Sequence, residues 1–543
     1  MAENRQQRRN KLTVAALLLC GWCRAASAEP PVAPPTSLDA DVERLAEKID
    51  ELISRRWRAE QVTPARPVDD ASFIRRVSLD IAGKIPAVAD LHLFLEDTQA
   101  GKRQRLVDSL LESPAYITHF SNVWRAVMLP EAETELEVRI LVPNFEAWLR
   151  RQASANTGFD AVVREILTVS VDPRLAANPL QPQTEVTPVG FYQAKQLKPE
   201  NLAAGTARMF LGVRIECAQC HDHPFDDWKR EQFWGYAAFF AGLERDPNGA
   251  GALDAIKELF GGKTVTIPGT EKKVVPTYLD GQAPQLKFRD SPRSILANWV
   301  VSEQNAYFAR ATVNRVWGQF FGIGIVSPVD DFTAANPPSH PELLDELAEQ
   351  FVTHNYDFKF LIRAITSSKT YQLSSQETHK SQSDPRLFAR MSIKGLTAEQ
   401  LFDSISQATG FHEPTTNRNQ FALMNNSPRE EFVQLFMNSN DAVVERQTTI
   451  LQALSMMNGQ FVVDATGLEK SATLTAIAEF PLMTTAERVE ALYLAALSRE
   501  PRPDELDRLV AYVDAGGPAK YPKQALSDVF WALLNCSEFL FNR

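Results

Sequence analysis

A mainly α-helical protein, with two helical domains and a small β-hairpin insertion between them, is the fold class that this sequence predicts. Three observations predict it. Apolar residues recur at helical spacing from Leu38 to about Arg245, the same texture returns from Ser291 to the C-terminus, and only the stretch between Pro247 and Arg289 reads as strand. The expected divisions are a leader at 1–28, a linker at 29–37, a first helical domain at 38–245, an insertion at 246–289 and a second helical domain at 290–543.

The leader has basic Arg5, Arg8, Arg9 and Lys11, an apolar run from Leu12 to Leu19, and Ala26-Ser27-Ala28 before Glu29, which is the layout of an export signal. Leu19 sits where a lipid-anchored variant at Cys20 would want a small residue. In the first domain Asp70 is placed to cap a helix whose stripe is Phe73, Ile74, Val77 and Ile81 and whose stop is Gly83; Ser113-Pro114 marks another start. A proline-rich loop, Asp172 to Pro188, precedes a helix expected from Pro199, with Leu202, Met209, Phe210 and Val213 on one side. That helix is expected to carry Cys217 and Cys220 and to end at about His221 or Asp222, because Pro224 disfavours helical geometry at His223.

In the insertion, Thr264 to Ile267 and Lys273 to Val275 flank Pro268-Gly269 as a hairpin. The second domain shows three capping boxes, Ser339 with Glu342, Thr397 with Gln400 and Thr484 with Glu487. No repeat of fixed period is visible.

Cleavage after Ala28 removes five Lys/Arg and one Glu and takes the formal charge from −11 to −15, so nucleic acid is excluded as a partner class. No other stretch is long and apolar enough to span a membrane, and the expected location is the periplasm or cell envelope. Only Cys217, Cys220 and Cys536 remain, too few to frame a fold by disulfides. The core must therefore rest on buried apolar area.

Reactive chemistry is concentrated at Cys217-Ala218-Gln219-Cys220-His221, followed by Asp222-His223-Pro224. The spelling is that of covalent haem c attachment, with Cys217 and Cys220 joined to the vinyl groups and His221 as proximal ligand. Three alternatives stand beside it. Zinc or another divalent metal would use the thiolates with His221 or His223, or, in a hydrolytic site, His221, His223 and Asp222. An oxidising compartment would allow a Cys217–Cys220 disulfide. A purely structural turn would have Asp222, Asp226 and Asp227 capping backbone and Phe225 and Trp228 in a core. For haem, no second axial ligand is indicated; Met209 is poorly placed, and Met456 and Met457 belong to the far half of the chain.

A second group of candidates lies at Tyr307, Arg310, Asn314, Trp317 and Phe321, one stripe of a helix. Asp330 and Asp331 are the expected acceptors for Arg310 or Arg315; the competing reading gives these arginines to a substrate carboxylate or sulfate. In Asn336-Pro337-Pro338-Ser339-His340-Pro341, capping explains Ser339 and Pro341, which leaves Asn336 and His340 as candidate contacts. No Ser-His-Asp order, phosphate loop or dinucleotide fingerprint is present.

These residues resemble a family of exported proteins common in planctomycetes, a cytochrome-like domain of unknown function followed by a C-terminal planctomycete domain of unknown function. The resemblance rests on Asp69-Asp70, Arg75-Arg76, Leu79-Asp80, Phe210-Leu211-Gly212 and Cys217 to Phe225 with Trp228. In the second half it rests on Asn314 to Trp317, Val329 to Phe332, Asn336 to Leu343, Leu396 to Leu401 and Trp531 to Asn535. It implies identity more than activity. The expected function is an exported cytochrome-like redox or metal-binding component with an envelope redox partner. Its rivals are a metal-dependent hydrolase or polysaccharide-processing factor, with Arg310 or Arg315 meeting an acidic polysaccharide, and a non-catalytic envelope scaffold.

Overall fold

Helices carry almost all of the architecture, and the only sheets among the described residues are three two-stranded antiparallel pairs. The computed structural model describes residues 37–169, 186–246, 255–259, 264–412, 427–436 and 455–543. The expected leader, the linker up to Thr36, most of the 172–188 loop and parts of the insertion lie outside the described residues. No described helix is long and apolar enough to cross a membrane.

Where one side chain decides, the local signals in the sequence and the structure agree. Phe73, Ile74, Val77 and Ile81 are buried together, and Gly83 ends their helix in the left-handed region at φ 72°. The cap of that helix is Asp69, one residue before the expected Asp70; Asp69 accepts from the Ser72 N–H at 2.7 Å, while Asp70 holds Arg103 at 2.6 Å. Ser113 caps Pro114–Met128, and the boxes at Thr397 with Gln400 and Thr484 with Glu487 form as expected. Ser339 with Glu342 does not. Ser339 Oγ instead donates to the Ile325 carbonyl at 3.1 Å and Glu342 pairs with Arg55, so the Pro341–Thr353 helix starts from His340 without a side-chain cap.

The hairpin pairs Val265–Thr266 with Lys273–Val274, as predicted, and a second pair, Leu243–Asp246 with Ala255–Glu258, was not expected. A third joins Lys394–Gly395 to Phe541–Asn542 at the C-terminus.

Two apolar cores organise the helices. The larger draws on residues on both sides of the insertion, from Val42 to Met391 with Leu494; the smaller is built from Leu401 to Phe539 with Leu79 and Ile85. Aromatic rings knit the larger core across that sequence distance: Trp124 and Phe159 have centroids 4.5 Å apart, and Phe159 meets Phe308 at 5.8 Å and Phe358 at 5.0 Å.

The Asp70–Ala82 helix stands between the cores and is buried on every side from Phe73 to Ile81. Its polar residues therefore need internal partners. Arg75 donates to the carbonyls of Ala496 at 2.9 Å and Phe539 at 3.2 Å, and Arg76 to those of Tyr371 at 2.6 Å and Arg543 at 2.8 Å. Asp80 accepts from Lys394 Nζ at 2.6 Å, Asn542 Nδ2 at 2.7 Å and the Tyr371 hydroxyl at 2.8 Å. Lys394 spends its other protons on the carbonyls of Gln319 at 3.0 Å and Phe320 at 2.7 Å. The Arg75-Arg76 and Leu79-Asp80 pairs thus tie the two cores to each other and to the chain end.

Candidate functional site

The helix from Pro199 does not reach the cysteines. It runs as α-helix to Thr206 and as a wider π-turn over Ala207–Leu211, and then stops at Gly212, φ 68°. A Cβ on Gly212 would lie 2.8 Å from the Phe332 ring and 3.0 Å from Ala311, and the Gly212 carbonyl accepts from the Phe332 N–H at 2.9 Å. Left-handed backbone and close approach both call for glycine here. Gly212→Ala is expected to lower folding stability by about 1–3 kcal/mol, read from the urea midpoint, with a wild-type midpoint counting against this account.

Cys217 lies instead on a separate 3₁₀ turn, Glu216–Gln219, with Cys220 closing it. Ala218 is fully buried and anchors the turn, and the Gln219 carbonyl is held by Trp234 Nε1 at 3.0 Å and Arg230 Nε at 3.3 Å. Both thiols are exposed and unpaired. The following loop is closed by the His223 N–H donating to the Trp228 carbonyl at 2.8 Å, while Asp222 accepts from the Arg230 N–H at 3.0 Å. That hydrogen bond, aided by Lys229, holds the Asp222 carboxyl below its usual range. Phe225 is 87% exposed, so the structural explanation that placed it in a core is wrong: the loop bulges into solvent and carries Phe225 with it. Trp228 alone packs back against the larger core, its Nε1–H buried without an acceptor in the protein.

The two histidines of the loop differ in a way that bears on ligation. His221 Nδ1 faces the Asp222 carbonyl at 2.7 Å; a carbonyl only accepts, so Nδ1 carries the proton and the Nε2 lone pair of the neutral ring is left for a ligand. His223 Nδ1 accepts from the Phe225 N–H at 3.2 Å, which puts the proton of its neutral ring on Nε2. The chain does unwind between them, yet His221, Asp222 and His223 are each occupied by nearby backbone. Among the described residues no group of three or more His, Cys, Asp or Glu side chains is placed to hold a metal ion.

The arginine stripe pairs differently from the expectation. Arg310 meets Asp345 at 2.6 Å, not Asp330 or Asp331. Asp330 is taken by Arg214 at 2.6 Å and Arg208 at 2.5 Å; burial alone would push its carboxyl up, but the two guanidinium groups outweigh this and hold it below its usual range. Arg315 donates to the Arg208 carbonyl at 3.4 Å, and burial lowers its pKa. Asn314 is wholly internal, donating to the Val326 carbonyl and accepting from the Val326 N–H, both at 2.9 Å, so it clamps the Gly322–Val329 turn rather than meeting a ligand. The Asp331 carbonyl accepts from Asn336 at 3.0 Å. His340 is buried against Phe388 beside the Ser339 hydroxyl.

What the sequence did not reveal is an open cleft of about 490 Å³ beside the cysteine loop. Trp228, Tyr307, Arg310, Phe332 and Asn336 are among the residues that line it. A signal existed only in part: Tyr307, Arg310 and Asn336 were singled out, but their meeting with Trp228 is a matter of packing.

Two family models match the chain. PSCyt2, a protein of unknown function (DUF1549), covers residues 48–245, and PSD1, a protein of unknown function (DUF1553), covers residues 292–513. The chain carries these two domains in that order, PSCyt2 first and PSD1 second. No curated protein and no solved structure matches it. The cysteine turn lies in the PSCyt2 region, and the cleft is lined by residues of both regions. The Asp80–Lys394 pair likewise joins the two regions.

Proposed function

We propose that this chain is an exported, cytochrome-like envelope protein whose PSCyt2 region holds haem covalently through Cys217 and Cys220, with His221 as proximal ligand. The observation that carries this reading is the state of the turn. Two unpaired thiols reach solvent with two residues between them, and the adjacent histidine has its Nδ1–H spent on a carbonyl, so that Nε2 is the nitrogen available to iron. This donor set fits the group. A bound haem supplies one-electron chemistry; the chain's own part is to hold the turn, through Ala218, Gln219 and Arg230, and to orient the imidazole. Met209 is buried and Met456 lies in the smaller core, so neither thioether is offered at this surface.

The metal-dependent hydrolase reading is less well supported, because among the described residues no group of three or more His, Cys, Asp or Glu side chains is placed to hold a metal ion. The scaffold reading keeps Cys217 and Cys220 as a disulfide, and it is separated by the same experiment. Expressed in a host that matures c-type cytochromes and then denatured, the protein is expected to have the mass of the polypeptide after Ala28 plus one haem. The increment should vanish in the Cys217→Ala, Cys220→Ala double variant. A bare polypeptide mass sinks the proposal, and thiols that alkylate only after reduction favour the scaffold.

A further inference from the structure

We propose that the cleft between Trp228 and the Phe308–Phe321 helix is a binding site for an organic cation of the ammonium class. Its size, about 490 Å³, is that of a small-molecule site, and its walls are of two kinds. Trp228, Tyr307 and Phe332 supply aromatic rings, whose negative faces attract a cation. Around them stand three carboxylates, Asp226, Asp227 and Asp345, against one guanidinium, Arg310, which is already paired with Asp345. The charge is therefore surplus negative. Asp226 and Tyr307 line the same cleft, and burial, with the Asp226 charge adding to it, raises the Tyr307 phenol pKa.

This balance runs against the acidic polysaccharide considered from sequence. An anionic ligand would have to displace Asp345 from Arg310 and would face Asp226 and Asp227 unscreened. A neutral polyol gains nothing from the excess charge. An ammonium head gains from both carboxylates and rings.

The inference is independent of haem, because Cys217, Cys220 and His221 are not part of the cleft wall. The test is calorimetric titration of the mature chain with choline, its uncharged tert-butyl isostere, and glucuronate. Choline is expected to bind one equivalent, and the isostere to bind at least about tenfold more weakly. Asp227 is exposed, and Asp227→Asn is expected to weaken choline several-fold without moving the melting temperature. Arg310→Gln, which frees Asp345, is expected to strengthen it. Equal binding of the isostere, binding of glucuronate, weaker choline binding in Arg310→Gln, or no heat with choline across the millimolar range overturns the proposal.

Discussion

Replacing Asp80 with alanine is expected to cost about 3–5 kcal/mol of folding stability. Asp80 and Lys394 are 4% and 5% exposed, so neither can turn to water when its partner is removed. Alanine would leave the Lys394 ammonium buried with only two carbonyls, and would strip the Tyr371 hydroxyl and Asn542 of their acceptor. Burial already lowers the Lys394 pKa, with the Asp80 charge opposing, so the lone lysine would be pushed further toward its neutral form. Lys394→Met alone should also destabilise strongly, because Asp80 then stays buried without its cation. The double variant should lose clearly less than the two single losses combined, since the charges disappear together. Urea unfolding at neutral pH measures all three. Strict additivity, or a loss under about 1 kcal/mol for Asp80→Ala, would remove this network as the tie between the cores.

Acidification from pH 7 to about pH 5 is expected to cost a further ~4 kcal/mol, divided between His119 and His340. Burial comes first as the cause in both, and each ring is pushed down to about 4; Lys394 adds to the effect at His119, and Arg56 and Arg386 add to it at His340. The sign follows from which state takes the proton. Below 6.5, the usual histidine value, the unfolded chain binds a proton that the folded chain refuses until about 4. The stabilisation is complete above 6.5 and is lost as pH falls through that window. His119→Gln and His340→Gln should each remove about half of the slope, whatever they do to stability at pH 7. A slope that survives in the double variant would assign the acid sensitivity to other groups.

Legibility followed the range of the interaction. The Phe73, Ile74, Val77 and Ile81 stripe, the Gly83 stop, the Ser113 cap and the boxes at Thr397 and Thr484 are settled within one turn of helix, and they formed. The Ser339 box had the same spelling and failed, because the Ile325 carbonyl competes for the hydroxyl from outside the helix. The helix from Pro199 ends short of the cysteines for a similar reason. Nothing in the apolar period marks Gly212 as a stop until Phe332 and Ala311 are known to press against it.

The candidate site divides the same way. Cys217, Cys220 and His221 were visible as a motif because their chemistry is contiguous, and the structure adds which imidazole nitrogen faces a carbonyl. Arg310 was rightly judged to need a carboxylate, but Asp345 was not among the candidates, and Asp330 went to Arg208 and Arg214. Several acids could have satisfied each arginine on charge alone, so only distance could choose.

From the sequence by itself came the helical class, the order of the segments, several helix ends and the one cluster of thiols, since periodicity, capping and motif spacing are properties of near neighbours along the chain. Tertiary structure alone decided that the larger core takes residues from both sides of the insertion, that Asp80 meets Lys394 and Asn542, and that Trp228 and Tyr307 line one cleft. Those meetings join residues tens to hundreds of positions apart. They are chosen by which buried charges and apolar faces can be satisfied together, a condition that no local stretch of the chain contains.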